Sequence, residues 1–167
     1  MKIGIVGGTG NISQSIVRLL LEQGHEVVCS NRGQTIKMPE GARLIQGDRN
    51  NREDFEHKIQ AEKFDVGFDM ICFNAEDAMS SVRAFRGAGW FVQTSTVCTY
   101  GIKYDYFPSD ETHPLRPITD YGRGKVAADN VYLEAYHREK FPIVIIKPAT
   151  TYGPVQGMLR QISWDFS

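Results

Sequence analysis

The most restrictive feature of this sequence lies at its start. An apolar run from Ile3 to Val6 passes directly into Gly7, Gly8 and Gly10. These glycines pass directly into a pattern from Asn11 to Gln23, with Ile12, Ile16, Leu19, Leu20 and Gln23 at three- and four-residue spacing. A strand that turns at once into an amphipathic helix is the opening of a βα unit. Gly24 stands where a left-handed cap closes such a helix. Glycines in the turn let the backbone approach a pyrophosphate, and the helix N-terminus offers free N–H groups and the favourable end of its dipole. Ser13 stands where a third small residue lets helix and strand pack closely, and serine is small enough to fit.

The same alternation continues along the chain. Short apolar runs at Glu26 to Ser30, Arg43 to Gln46, Val66 to Phe73, Trp90 to Thr94 and Ile143 to Ile146 alternate with helical patterns at Arg52 to Ala61, Asp77 to Phe85 and Asp120 to Lys140. Six strands interleaved with helices predict an α/β fold with a doubly wound parallel sheet. A length of 167 residues suits one such domain. The stretch from Thr99 to Thr119 contains Gly101, Pro108, Pro114 and Pro117 and reads as a long loop, a place where function concentrates.

Charge and composition exclude several classes. Nineteen basic against twenty acidic residues give a net charge of -1, with no like-charged block to attract nucleic acid or anionic lipid. No apolar run approaches the roughly 20 residues of a membrane span, and the start lacks the separate regions of a secretory signal, so a cytoplasmic protein is expected. Cys29, Cys72 and Cys98 suit reduced thiols, and Cys98 is expected to be a small buried residue. His25, His57, His113 and His137 show no metal-ligand spacing, so no metal is predicted.

The second run bears on cofactor choice. An acidic residue there would accept hydrogen bonds from the adenosine ribose of NAD. Here the run ends in Cys29, Ser30, Asn31 and Arg32, with no carboxylate and a guanidinium that suits a 2′-phosphate. NADP is therefore favoured over NAD.

Tyr121 and Lys125 lie four residues apart at the start of a predicted helix, on one face. Thr96 follows the fifth apolar run, at the carboxyl edge where open α/β sheets hold ligands. A phenol beside a hydride carrier can move a proton if cations stabilise its anion. Lowering its pKa by about three units takes roughly 4 kcal/mol, which Lys125 and an oxidised nicotinamide could supply. Thr96 would hold the substrate oxygen by its hydroxyl.

Five motifs in order carry a family resemblance: Gly7-Gly8-Thr9-Gly10-Asn11-Ile12, Gly47-Asp48, Thr94-Ser95-Thr96 through Tyr100-Gly101, Tyr121-Gly122-Arg123-Gly124-Lys125, and Lys147-Pro148 through Tyr152-Gly153-Pro154. The chain resembles an extended short-chain dehydrogenase/reductase of the NAD-dependent epimerase/dehydratase type. The resemblance implies a Rossmann-type dinucleotide-binding domain over residues 1–153, with Thr96, Tyr121 and Lys125 as the catalytic triad. It implies cofactor contacts from Gly7, Thr9, Gly10, Asn11, Ile12, Asn31, Arg32, Lys125 and Pro148. It puts Asp48 near the adenine amino group, and Phe73, Asn74 and Ala75 along the cofactor path. It also implies a sugar or nucleotide-sugar substrate and dimers packed through helices. The family writes an arginine where this chain has Lys147.

Relatives build the substrate pocket largely from chain beyond the Tyr-Gly-Pro segment. Residues 154–167 are expected to be the start of a truncated substrate-binding portion, because an end as apolar as Met158 to Phe166 is seldom left free in solvent. Epimerisation, dehydration and reduction stay open, as does a dinucleotide-binding module without turnover. The stretch from His25 to Gly33 is also similar to chloroplast stem-loop-binding relatives, although the balanced charge speaks against RNA.

Overall fold

The computed structural model describes residues 1–34 and 38–151. Its elements run β1 (Lys2–Val6), α1 (Asn11–Glu22), β2 (Glu26–Asn31), β3 (Arg43–Gln46), α2 (Arg52–Glu62), β4 (Val66–Asp69), α3 (Ala75–Ala84), β5 (Trp90–Thr94), α4 (Asp120–Glu139) and β6 (Ile143–Ile146). The six strands form one parallel sheet in the order β3-β2-β1-β4-β5-β6. The chain leaves β1 toward β2 and later returns to β1's other side with β4, so the winding reverses there. That reversal opens a crevice at the carboxyl ends of β1 and β4, where doubly wound sheets hold ligands.

Strand alternation separates two apolar layers. Ile3, Ile5, Val27 and Cys29 pack with Val17 of α1 on one face. Val6, Val28 and Phe91 pack on the other face with Phe55 and Ile59 of α2, Val82 of α3 and Tyr132 of α4. Phe91 is the centre of that second layer, its ring centroid 5.0 Å from Phe85, 5.3 Å from Phe141 and 5.4 Å from Tyr132. Rigid packing beneath α3 and α4 fixes the ends of β4 and β5, which carry the site.

Two expectations need correction. The apolar run Val66 to Phe73 is not all strand: β4 stops at Asp69, whose Oδ1 accepts the Ile71 N–H at 3.0 Å and turns the chain out of the sheet. The third helix begins at Ala75 rather than Asp77, because Asn74 caps it by accepting the Asp77 N–H at 2.8 Å. The other elements agree with the sequence pattern to within a residue at each end. The expected substrate portion, residues 154–167, lies outside the described residues, and so does the Tyr152-Gly153-Pro154 motif.

Candidate functional site

The glycine turn occupies the mouth of the crevice. Gly7 and Gly8 have φ of +110° and +94°, a region that favours glycine. A Cβ on Gly8 would stand 2.5 Å from the Cys29 sulfur, so β2 closes on the turn only because Gly8 has no side chain. A Cβ on Gly10 would meet only Ser13 Oγ, at 3.4 Å, which leaves that side of the turn open. Ser13 is more than a tolerated small residue: its Oγ accepts the Gly10 N–H at 2.8 Å. The Thr9 carbonyl accepts from Gln14 Nε2 at 3.1 Å, and Ile12 is half-buried. Asn11 Oδ1, at the first residue of α1, is buried without a partner among the described residues. An open turn and free helix N–H groups are what a bound pyrophosphate would engage, while the Asn11 oxygen, an acceptor, would need a donor instead.

The end of β2 is tied to this turn. Asn31 Nδ2 donates to the Gly7 carbonyl at 3.0 Å and to Met38 Sδ at 3.4 Å, while its Oδ1 accepts the Gly33 N–H at 2.7 Å. Asn31 therefore has a structural task. Arg32 is exposed beside it, and so is Asp48 after β3, whose Oδ1 accepts the Asn50 N–H at 2.9 Å.

The segment between β4 and α3 is held by a buried ionic network that sequence reading missed. Arg49 donates to both Asp69 oxygens at 3.0 Å, to the Ile71 carbonyl at 2.9 Å and to the Asp77 carbonyl at 3.0 Å. Ser81 Oγ donates to Asp69 at 2.6 Å, and Arg52 reaches Asp77 at 3.1 Å. Asp77 in turn accepts the Phe73 N–H at 2.9 Å. The network thus fixes the backbone that presents Phe73 and Asn74, both exposed at the crevice. The available signal was an aspartate inside an apolar run, which needs a buried cation.

Thr96, Tyr121 and Lys125 converge on the carboxyl edge of β5. Thr119 caps α4 by accepting the Gly122 N–H at 3.0 Å, so Tyr121 and Lys125 occupy its first two turns. Two glycines let this helix come close. A Cβ on Gly122 would lie 2.8 Å from the Cys98 carbonyl, and one on Gly124 would collide with the Phe73 carbonyl. Lys125 is 1% exposed, and its ammonium donates to the Thr94 carbonyl at 2.6 Å. It lies 5.0 Å from the Phe73 ring centroid and 5.7 Å from that of Tyr121. Thr96 Oγ1 accepts the Cys98 N–H at 3.2 Å. The Pro148 carbonyl accepts the Val97 N–H at 3.1 Å, joining the exit of β6 to this turn.

The electrostatics of the chain alone are set by burial. Burial pushes the Tyr121 phenol above its ordinary value, the Cys98 thiol adds to that, and the hydrogen bond with Thr96 opposes it. Burial likewise holds Lys125 below the usual lysine range, opposed by Cys72, Asp69 and Asp129. In the chain alone, desolvation dominates at the phenol. Cys98 is exposed rather than buried. Among the described residues no group of His, Cys, Asp and Glu could hold a metal ion, and no helix is long and apolar enough to cross a membrane.

A doubly wound parallel sheet with a glycine turn at its switch point and a threonine, tyrosine and lysine at the next strand end defines a class of dinucleotide-dependent proteins. Residues 3–163 match the model of the NAD dependent epimerase/dehydratase family, and the chain belongs to that family. It is 28% identical over 153 residues to 2′-dehydrokanamycin reductase of Streptomyces kanamyceticus, covering 91% of this chain and 43% of that protein. The fold is similar to that of UDP-glucose 4-epimerase of Thermotoga maritima with UDP-glucose, at a TM-score of 0.81 and 22% identity, covering 93% of this chain and 58% of that one. It is also similar to that of dTDP-glucose 4,6-dehydratase of Bacillus anthracis in complex with NAD, at a TM-score of 0.79 and 21% identity, covering 93% and 57%. The chain spans about half the length of the curated relatives it matches.

Proposed function

We propose that residues 1–153 are the dinucleotide-binding domain of an oxidoreductase, epimerase or dehydratase that works by hydride transfer at a carbinol carbon. In this reading residues 154–167 begin the substrate-binding portion. The carrying observation is the meeting of Thr96, Tyr121 and Lys125 at the sheet edge, across the crevice from the open glycine turn. Gly7, Thr9, Gly10, Asn11 and Ile12 would hold the pyrophosphate, Asn31 and Arg32 the adenosine ribose, and Asp48 the adenine. Phe73, Asn74, Lys125 and Pro148 would hold the nicotinamide half. The bound cofactor supplies or accepts the hydride and, when oxidised, brings a positive charge to the site.

The residues of the chain handle the proton. Thr96 holds the substrate oxygen by a hydrogen bond from its hydroxyl, and Tyr121 gives a proton to that oxygen or takes one from it. Because burial holds the phenol high, Tyr121 rests protonated and poised as a donor. Its service as a base depends on positive charge arriving beside it. Lys125 contributes a fixed ammonium that Thr94 keeps in place.

Relatives named as acting on UDP-glucose and dTDP-glucose support a nucleotide sugar or related sugar as the substrate class. Absence of a carboxylate at Asn31 and the exposed Arg32 support NADP over NAD, although the solved relatives named above include one in complex with NAD. Pairing of two copies through helices and a cytoplasmic location belong to the same reading.

Calorimetric titration of the chain with NADPH and NADH tests it. The expected outcome is saturable binding, tighter for NADPH. Arg32→Ala should weaken NADPH about tenfold or more, the worth of a charge-assisted hydrogen bond, and leave NADH within about twofold. Equal losses for both would overturn the NADP preference. Binding of neither by the folded chain would overturn the dinucleotide reading itself.

A further inference from the structure

Behind the reactive face lies a second set of polar groups that the mechanism above does not use. Asp129 is one helical turn beyond Lys125 and two beyond Tyr121, so the three side chains form a column on α4 at i, i+4 and i+8. Asp129 is 2% exposed. Its Oδ2 accepts from Ser95 Oγ at 2.7 Å and from Lys147 Nζ at 2.9 Å. Ser95 directly follows β5, and Lys147 directly follows β6. One carboxylate oxygen thus joins α4 to two strand ends.

The Lys147 ammonium continues the chain of contacts. It donates to Thr99 Oγ1 at 2.9 Å, and Thr99 Oγ1 donates to the Thr96 carbonyl at 2.9 Å. It also lies 5.2 Å from the centroid of the Tyr100 ring. Every step from Asp129 to the backbone of Thr96 is therefore a direct contact. On the other side of the Thr96 turn, α4 comes close next to Tyr121: a Cβ on Gly122 would lie 2.8 Å from the Cys98 carbonyl.

Stability does not account for this arrangement. A buried ion pair is seldom better than an apolar pair of the same volume, because desolvation consumes the Coulomb gain. Here Asp129 Oδ1 has no partner among the described residues, which makes the pair costlier still. What the pair provides is direction, since an apolar contact would not fix the rotation of the Thr96 turn against α4.

We propose that Asp129 and Lys147 are positioning residues, a clamp that acts through Thr99 to fix the Thr96 turn, and with it the Thr96 hydroxyl, against the start of α4 that carries Tyr121. Neither residue touches substrate or cofactor in this role. The inference rests on the reading of Thr96 as the group that holds the substrate oxygen and of Tyr121 as the group that moves the proton.

The test needs neither cofactor nor substrate. The chain is labelled at tyrosine Cζ, and the Tyr121 resonance, assigned with Tyr121→Phe, is recorded at neutral pH, where its position reports the polar surroundings of the phenol oxygen. In Lys147→Met and in the milder Thr99→Val, the Tyr121 resonance should lose its displacement from that of the exposed Tyr136. In Lys147→Arg it should keep that displacement. Amide spectra of β1 and β2 verify folding, and Thr99→Val alone decides the matter if Lys147→Met does not fold. An unmoved Tyr121 resonance in folded Thr99→Val overturns the clamp. Failure of the dinucleotide titration would instead remove the proposed function and leave this measurement standing, so the two failures are distinct.

Discussion

The Lys125 ammonium donates to the Thr94 carbonyl at 2.6 Å, binding the second turn of α4 to the last residue of β5. That bond puts a cation at the site, and it does so in a place where burial disfavours the charge. The protein accepts a local cost to keep the ammonium beside Tyr121.

A first prediction follows from the sign of that cost. The folded pKa of Lys125 is depressed relative to the unfolded chain, so the charged form opposes folding at every pH below the folded pKa. The penalty fades as pH rises from there toward the unfolded value near 10.4. Lys125→Met, close in volume and uncharged, should raise the melting temperature at pH 7 by about 2–4 °C, the response of a domain this size to about 1 kcal/mol. The gain should shrink as the pH is raised. Thermal denaturation at two pH values checks this, and a lowered midpoint at pH 7 would show that the ammonium is a net stabiliser.

A second prediction sets two effects of one methyl group against each other. In a helix interior Gly→Ala stabilises by up to about 1 kcal/mol through the backbone. At Gly124 the added Cβ would collide with the Phe73 carbonyl, and backbone there cannot swing aside as a side chain would. Overpacking of this kind costs about 1–3 kcal/mol, so Gly124→Ala should be destabilising on balance. It should also weaken dinucleotide binding, because the Phe73 segment and α4 must separate. Urea denaturation gives the sign, and a stabilised variant would contradict the close approach.

Much of this architecture could be read from residue spacing. The glycine turn, the strand-helix alternation and the Tyr121–Lys125 pair rest on local periods, which sequence displays directly. The run from Val66 to Phe73 misleads because apolarity alone does not separate a strand from a buried loop; Asp69 inside it marks the strand's end. Arg49 stayed hidden because its partners Asp69 and Asp77 lie 20 and 28 positions away. Asp129 and Lys147 stayed hidden for the same reason, being 18 positions apart. The upward push on the Tyr121 phenol in the chain alone was not legible because desolvation, which dominates there, depends on burial and not on residue spacing.

The Arg49 network supports a third prediction, which separates buried from exposed ion pairs within one molecule. The Arg49 side chain is 9% exposed and Asp69 is fully buried, with Asp77 at 5%. Arg49→Met would leave both carboxylates without their central cation, and breaking such a buried pair costs about 3–5 kcal/mol. Arg86 and Glu139, 2.9 Å apart, are largely exposed, so Arg86→Met should cost less than about 1 kcal/mol. Because Asp77 also holds the Phe73 N–H, Arg49→Met should loosen the segment that carries Phe73 and Asn74 and weaken dinucleotide binding along with stability. Denaturation and calorimetric titration of both variants check the contrast. Equal, small losses would mean that Arg52 and Ser81 suffice to hold the two carboxylates, and the β4–α3 segment would then owe its shape to backbone bonds instead of to Arg49.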